Sequence, residues 1–167
     1  MQQNQIWFTS DLHLCHNNKT VSKRGFTSID EMNETIMLNW TKSINENDDV
    51  YILGDLLSGD VKYVLELYRL LPGKKHVILG NHDTERRVKQ YIKSNVFESV
   101  QYAHVIYTER YAFYLSHYPT KCTCFQSGRY FVSLCGHEHT DDKFLDWSNQ
   151  YFVYHCEVDA HNYHPVS

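Results

Sequence analysis

A chain of 167 residues has room for one core, so a single domain over 1–167 with one active site is expected. Its formal charge of −4 supplies no overall basic field, which disfavours long nucleic acid as a partner. No apolar run approaches the ~20 residues that cross a bilayer, and neither the start MQQNQ nor the five cysteines suit a secreted chain, so a cytoplasmic protein with reduced thiols is expected.

In chain order, Ile6 to Ser10 reads as a short strand that empties into a polar loop at Asp11. From Ser28, the residues Ile29, Met32, Ile36, Trp40 and Ile44 recur at helical spacing, and Ser28 with Glu31 has the form of a capping box. Val50 to Gly54 is a second buried strand, which delivers Asp55. Val61, Val64, Leu65, Tyr68 and Leu71 mark a second amphipathic helix, closed by Pro72 and Gly73. His76 to Gly80 is a third strand, and it opens into Asn81, His82 and Asp83. Strands alternating with helices imply βαβ units, whose ligand sites lie beyond the carboxyl ends of the strands.

The basic run Arg86, Arg87, Lys89 and Lys93 reads as a solvated helix face. Runs around Val105 to Tyr107, Ala112 to Leu115, Tyr130 to Cys135 and Tyr151 to Tyr154 follow with little helix between them, so the second half is expected to be mainly antiparallel. Cys122 and Cys124 have no second cysteine pair at zinc-site spacing and read as loop thiols. The sequence carries no marker of oligomeric state.

Asp11, His13, Asp55, Asn81, His82, His117, His137 and His139 all fall at strand ends, and Gly54, Gly80 and Gly136 flank three of these clusters. Imidazole and carboxylate donors without clustered thiolates suit borderline divalent ions. Eight such groups exceed the needs of one ion. Two ions sharing a carboxylate would use seven and leave one histidine for proton chemistry.

The segments SDLHLCH, LGDLL, GNHD, SHYP and GHEH, in that order, resemble the calcineurin-like metallophosphoesterase family, with its D-x-H, G-D, G-N-H-D/E, H and G-H-x-H pattern. Phe26 to Asp55 and the ending VDAHNYHPVS are similar to a compact bacterial and phage branch of it. The resemblance implies an α/β (α+β-like) four-layer αββα sandwich of two mixed sheets flanked by helices, with the metals at the C-terminal ends of strands. It assigns Asp11, His13 and His139 to one ion, Asn81, His117 and His137 to the other, and Asp55 to both. His82 becomes the catalytic histidine, protonating the leaving oxygen while a metal-bridging hydroxide attacks phosphorus in line. Two transition-metal ions are implied, manganese foremost, with iron, zinc, nickel or cobalt as alternatives.

Where some family members have an Asp three residues after the bridging Asp to orient the histidine, this chain has Ser58; Asp60 or Asp83 is the expected substitute, or else the main chain. His16, Arg24 and Tyr118 are the candidate substrate contacts, and Tyr118, Phe125 and Tyr130 would form an aromatic wall for a base. The favoured activity is hydrolysis of a phosphodiester on a small or nucleotide-like substrate. The alternatives are a phosphomonoesterase or protein phosphatase using the same metals, a nuclease, and a non-catalytic scaffold, which should have dropped a ligand.

Overall fold

The computed structural model of the chain describes residues 4–16, 18–122, 128–147 and 152–167. Strands β1 (Ile6–Thr9), β2 (Asp49–Leu53), β3 (Lys74–Ile78) and β4 (Ser99–Gln101) form a parallel sheet in the order β1-β2-β3-β4. Strand alternation sends Val50, Ile52 and Val77 into a core shared with the helices, and Phe8, Tyr51, Leu53 and Ile78 to the opposite core. Burial on both faces explains why these strands read as near-continuous apolar runs.

The helices are α1 (Asn18–Lys23), α2 (Ile29–Ser43), α3 (Val61–Leu70) and α4 (Glu85–Ser94). In α2, Met32, Ile36 and Trp40 lie one turn apart on the buried face, each removal from water contributing about 1.5–3 kcal/mol. Trp40 also donates from Nε1 to the Pro72 carbonyl at 2.9 Å, so truncating it would both open a cavity and orphan that carbonyl. Ser28 Oγ accepts from Glu31 N as expected of a cap, but the Glu31 carboxylate returns to the Thr27 amide rather than to that of Ser28.

The second sheet contains β5 (His104–Tyr107), β6 (Tyr111–Leu115), β7 (Tyr130–Cys135), β8 (Phe144–Trp147) and β9 (Phe152–His155), in the order β5-β6-β7-β9-β8. Its face bearing Phe113, Leu115, Val132 and Leu134 packs on Leu53 and Ile78 of the first sheet. Expected to be mainly antiparallel, this half instead pairs β6 with β7 and β7 with β9 in parallel, leaving only β5–β6 and β8–β9 antiparallel. Parallel pairing sends three chain segments out over one edge, and those segments carry His117, His137 and Asp159. The second sheet is thus mixed, and the first, whose four strands are parallel, takes an antiparallel bridge from Phe8 to Val166 at its β1 edge. Two face-to-face sheets with helices outside are present as expected, while every α-helix among the described residues precedes β5. The described chain beyond it adds strands, loops and a 3-10 turn, Asp159–His161.

Candidate functional site

The loops leaving β1, β2 and β3 emerge side by side because their strands are parallel and adjacent. Main-chain bonds continue past the strand ends: Asp11 N donates to Gly54 O at 3.1 Å and His13 N to Asp55 O at 3.0 Å. Asp11, His13, Asp55, His137 and His139 all adopt left-handed backbone, with φ of 56°, 47°, 54°, 83° and 50°. Such conformations cost non-glycine residues of order 1–3 kcal/mol and persist only where surroundings enforce them. Close packing also requires hydrogen at Gly136, since a Cβ there would run into Asp11 Oδ2 and Ser10 Oγ, and at Gly80, where it would run into Asp55.

Seven donor residues converge in two groups. His13 Nε2 and His139 Nε2 are 3.1 Å apart, and Asp11 Oδ1 lies 3.9 and 3.5 Å from them. On the other side, Asn81 Oδ1 lies 2.8 Å from His117 Nε2 and 2.9 Å from His137 Nδ1. Asp55 Oδ2 stands between, 3.7 Å from His13 Nε2 and 3.6 Å from His117 Nε2.

These residues fit metal ions. Donors bound at ~2.1 Å around one ion sit roughly 3–3.5 Å from each other, close to these separations. Two imidazole lone pairs facing at 3.1 Å require a proton or a cation between them. Asp11 Oδ1 is also fully buried without a hydrogen-bond partner, an arrangement that is costly unless a cation faces it.

Side chains behind the donors fix their direction. His117 donates from Nδ1 to Leu53 O at 2.9 Å, leaving Nε2 as the outward lone pair. His139 donates from Nδ1 to Asp159 Oδ2 at 3.2 Å, a bond that raises its pKa against the effect of burial. Burial would also raise Asp159, yet hydrogen bonds from His139 and Arg24 hold it well below the usual carboxylate range. Burial, with His139 and Arg24 nearby, depresses His13 to about 2, which keeps its ring neutral and able to bind a cation. Burial pushes the Asp11 carboxyl up, opposed first by His117. Glu157 accepts the amides of Glu138 and Thr140, both at 2.8 Å, and so clamps the loop that presents His137 and His139.

Arg24 is not a substrate contact. Its side chain is buried, paired through Nε and Nη2 with both oxygens of Asp159 at 2.9 and 2.8 Å, and it also donates to Asp11 O and Leu12 O. Its chain proximity to His13 arises because it braces the Asp11 loop from behind. Tyr130 likewise falls away from the cleft. It begins β7, five residues before Cys135 and so ~17 Å from the end that leads to His137, and it packs on Tyr111 and Phe152. Phe125 and Cys124 lie outside the described residues.

His82 is half-exposed, with Nε2 3.8 Å from Asp55 Oδ2. Of the two carboxylates expected to orient it, Asp60 accepts from Tyr63 N at the start of α3, and Asp83 accepts from Asp55 N, Gly80 N and Tyr91 Oη. Two other side chains hold the His82 backbone: His82 N donates to Asp55 Oδ1 at 2.9 Å, and His82 O accepts from Arg87 Nη1 at 2.7 Å. Arg87, expected to be merely solvated, also reaches Leu57 O. The His16 ring meets that of His13 edge-on at 5.2 Å, and its Nδ1 lies 2.9 Å from Thr20 Oγ1. Tyr118 is half-exposed against the rings of His117 and His137, at 5.1 and 4.7 Å.

Asp159 and Glu157 are the site residues that sequence reasoning missed as supports. Asp159 and Glu157 sit just after β9, which shares its exit edge with the donor loops, and that adjacency was the only available signal.

The chain is 29% identical over its whole length to an uncharacterized protein of Methanocaldococcus jannaschii, covering 89% of that protein. It is 38% identical over 80 residues to the Gene 66 protein of Mycobacterium phage L5, where the match covers 46% of this chain and only 39% of the phage protein. A structure of a protein of unknown function from Aquifex aeolicus shares the fold at a TM-score of 0.71 and 21% identity, covering 98% of this chain and 95% of the other. The YfcE phosphoesterase of E. coli does so at 0.50 and 18%, covering 90% and 77%. The calcineurin-like phosphoesterase family model matches residues 5–164, and the chain belongs to that family of metal-dependent phosphoric ester hydrolases.

Proposed function

We propose that the protein is a dinuclear phosphodiesterase acting on small or nucleotide-like esters in the cytoplasm. The observation that carries the dinuclear reading is the position of Asp55 Oδ2, nearly equidistant from His13 Nε2 and His117 Nε2, at 3.7 and 3.6 Å. Asp11, His13 and His139 would hold one ion, Asn81, His117 and His137 the second, and Asp55 both, with manganese the favoured metal. Ions so held would supply Lewis-acid charge for the phosphoryl oxygens and would lower the pKa of water toward neutrality.

The protein's own groups do the rest. Asp159 and Glu157 keep the donors aimed, and the half-exposed His82 supplies the proton that the leaving oxygen needs. Tyr118 offers an apolar face beside the cleft, and His16 a polar edge. The diester preference is supported by the commitment of Arg24 to Asp159, which takes away the arginine nearest in sequence to Asp11 and His13 that a dianionic monoester would use.

The test is reconstitution of metal-free protein with Mn, Ni, Co, Zn or Mg, followed by elemental analysis and assay of a nitrophenyl diester beside its monoester. Two ions per chain and faster diester turnover support the reading. One ion or fewer, or a preferred monoester, overturns the corresponding half.

A further inference from the structure

Helices α3 and α4 together carry six lysines and arginines against two glutamates, in a chain whose formal charge is −4. Their N-terminal ends border a groove of about 440 Å³, walled by Lys62, Thr84, Arg86 and Arg87. Lys62 and Arg86 make no hydrogen bond or ion pair among the described residues and are exposed. The groove's one carboxylate, Asp60, is occupied with the Tyr63 amide. Thr84 makes no side-chain cap, so the first amides of α4 add their partial positive charge there.

This groove adjoins the catalytic cleft. Thr84 follows His82 by two residues, at most ~7 Å along the chain. Arg87 belongs to both, lining the groove while donating to the His82 carbonyl. A basic patch isolated on a helix would be ordinary solvated surface, but here concave shape, unpaired cations and contact with the His82 loop coincide. We propose that the groove receives a second phosphate of the substrate, so that the preferred esters carry an additional anionic group beyond the one cleaved, as a nucleotide phosphorylated at both ends does. The proposal rests on the hydrolase reading of the neighbouring site.

The experiment compares thymidine 3′-(4-nitrophenyl phosphate) with and without a 5′-phosphate, using the full chain reconstituted with Mn. The 5′-phosphate is expected to lower KM by about tenfold, and the double variant Lys62→Glu/Arg86→Glu to erase that advantage while leaving kcat and KM for the unphosphorylated ester unchanged. Equal KM values, or an advantage that survives charge reversal, overturn the proposal. Activation of the simple ester by added inorganic phosphate also overturns it, making the groove an effector site instead. Calorimetric titration of the same protein with thymidine 3′,5′-bisphosphate reads the groove without turnover: binding weakened in the double variant supports it even if neither ester is cleaved. That combination would sink the hydrolase reading alone, whereas cleavage with variant-insensitive binding would sink the groove alone.

Discussion

Asp159 joins Arg24 to His139: one carboxylate takes the guanidinium through two hydrogen bonds and the imidazole through a third. Replacing it by alanine leaves a buried guanidinium without its counter-charge, a change that costs about 3–5 kcal/mol. Asp159→Asn keeps the shape, and should lower metal affinity by roughly 10–100-fold through loss of ring orientation at His139. Thermal melts of Asp159→Ala and metal titration of Asp159→Asn check the two effects separately. Unchanged affinity in Asp159→Asn would reduce Asp159 to a purely structural residue.

Metal holding and proton delivery should separate between Asp55 and His82. Asp55→Asn removes a charge placed between both donor groups and should lose metal and turnover together. His82→Ala should keep both ions and slow esters with poor leaving groups by roughly 10²–10⁴, the usual worth of general acid catalysis, but slow nitrophenyl esters far less. Metal loss in His82→Ala, or equal slowing for all leaving groups, would make His82 a ligand or an electrostatic clamp.

A single methyl group should disable the site at Gly136. The added Cβ of Gly136→Ala must displace Asp11 or Ser10, so overpacking of about 1–3 kcal/mol is expected together with weakened metal binding. Wild-type affinity and melting temperature would show that the loop yields without cost.

Glu157 should give the protein a dependence on acid. Burial works to raise its pKa, but His155 and the amides of Thr140 and Glu138 outweigh it and leave the group lowered. A group depressed on folding contributes stability that is full above its unfolded value, near ~4.3, and that is lost as pH falls through the folded value. The melting-temperature gap between wild type and Glu157→Gln, measured without metal, should therefore be constant above about pH 5 and narrow below pH 4. A gap that widens on acidification would reverse the sign of the assignment.

Chelation should abolish activity and leave the fold, because both cores are built from side chains that do not depend on the donors. Circular dichroism after metal removal is the measurement. A collapse of signal would turn the centre into a structural one.

The strand-to-loop junctions at Thr9, Leu53 and Ile78 were legible because apolar runs end abruptly in donor residues there, and α2 because Met32, Ile36 and Trp40 keep a helical period under a local cap. β4 and β8 were not anticipated, because Ser-Val-Gln holds a single apolar residue and Asp146 interrupts the apolar run of Phe-Leu-Asp-Trp. The short helix α1 escaped because its six residues are too few for a period to emerge. Parallel pairing of β6 with β7 is not encoded in the residues of either strand, since both read simply as apolar runs. Arg24 misled because nearness in sequence to His13 looks like nearness to substrate, whereas its partner Asp159 lies 135 residues away.

The amide of His137, on a loop of the second sheet, donates at 3.0 Å to Asp11 Oδ2, on a loop of the first. The cleft is therefore a seam, and its width records how the two sheets lie against each other. Sliding one sheet by a fraction of a side chain would part the donors even with every loop intact. Substitutions at Leu53 or Leu115, in the buried core that the two sheets share, should accordingly register as altered metal selectivity before they register as unfolding, which makes the sheet interface a remote control of the chemistry at its rim.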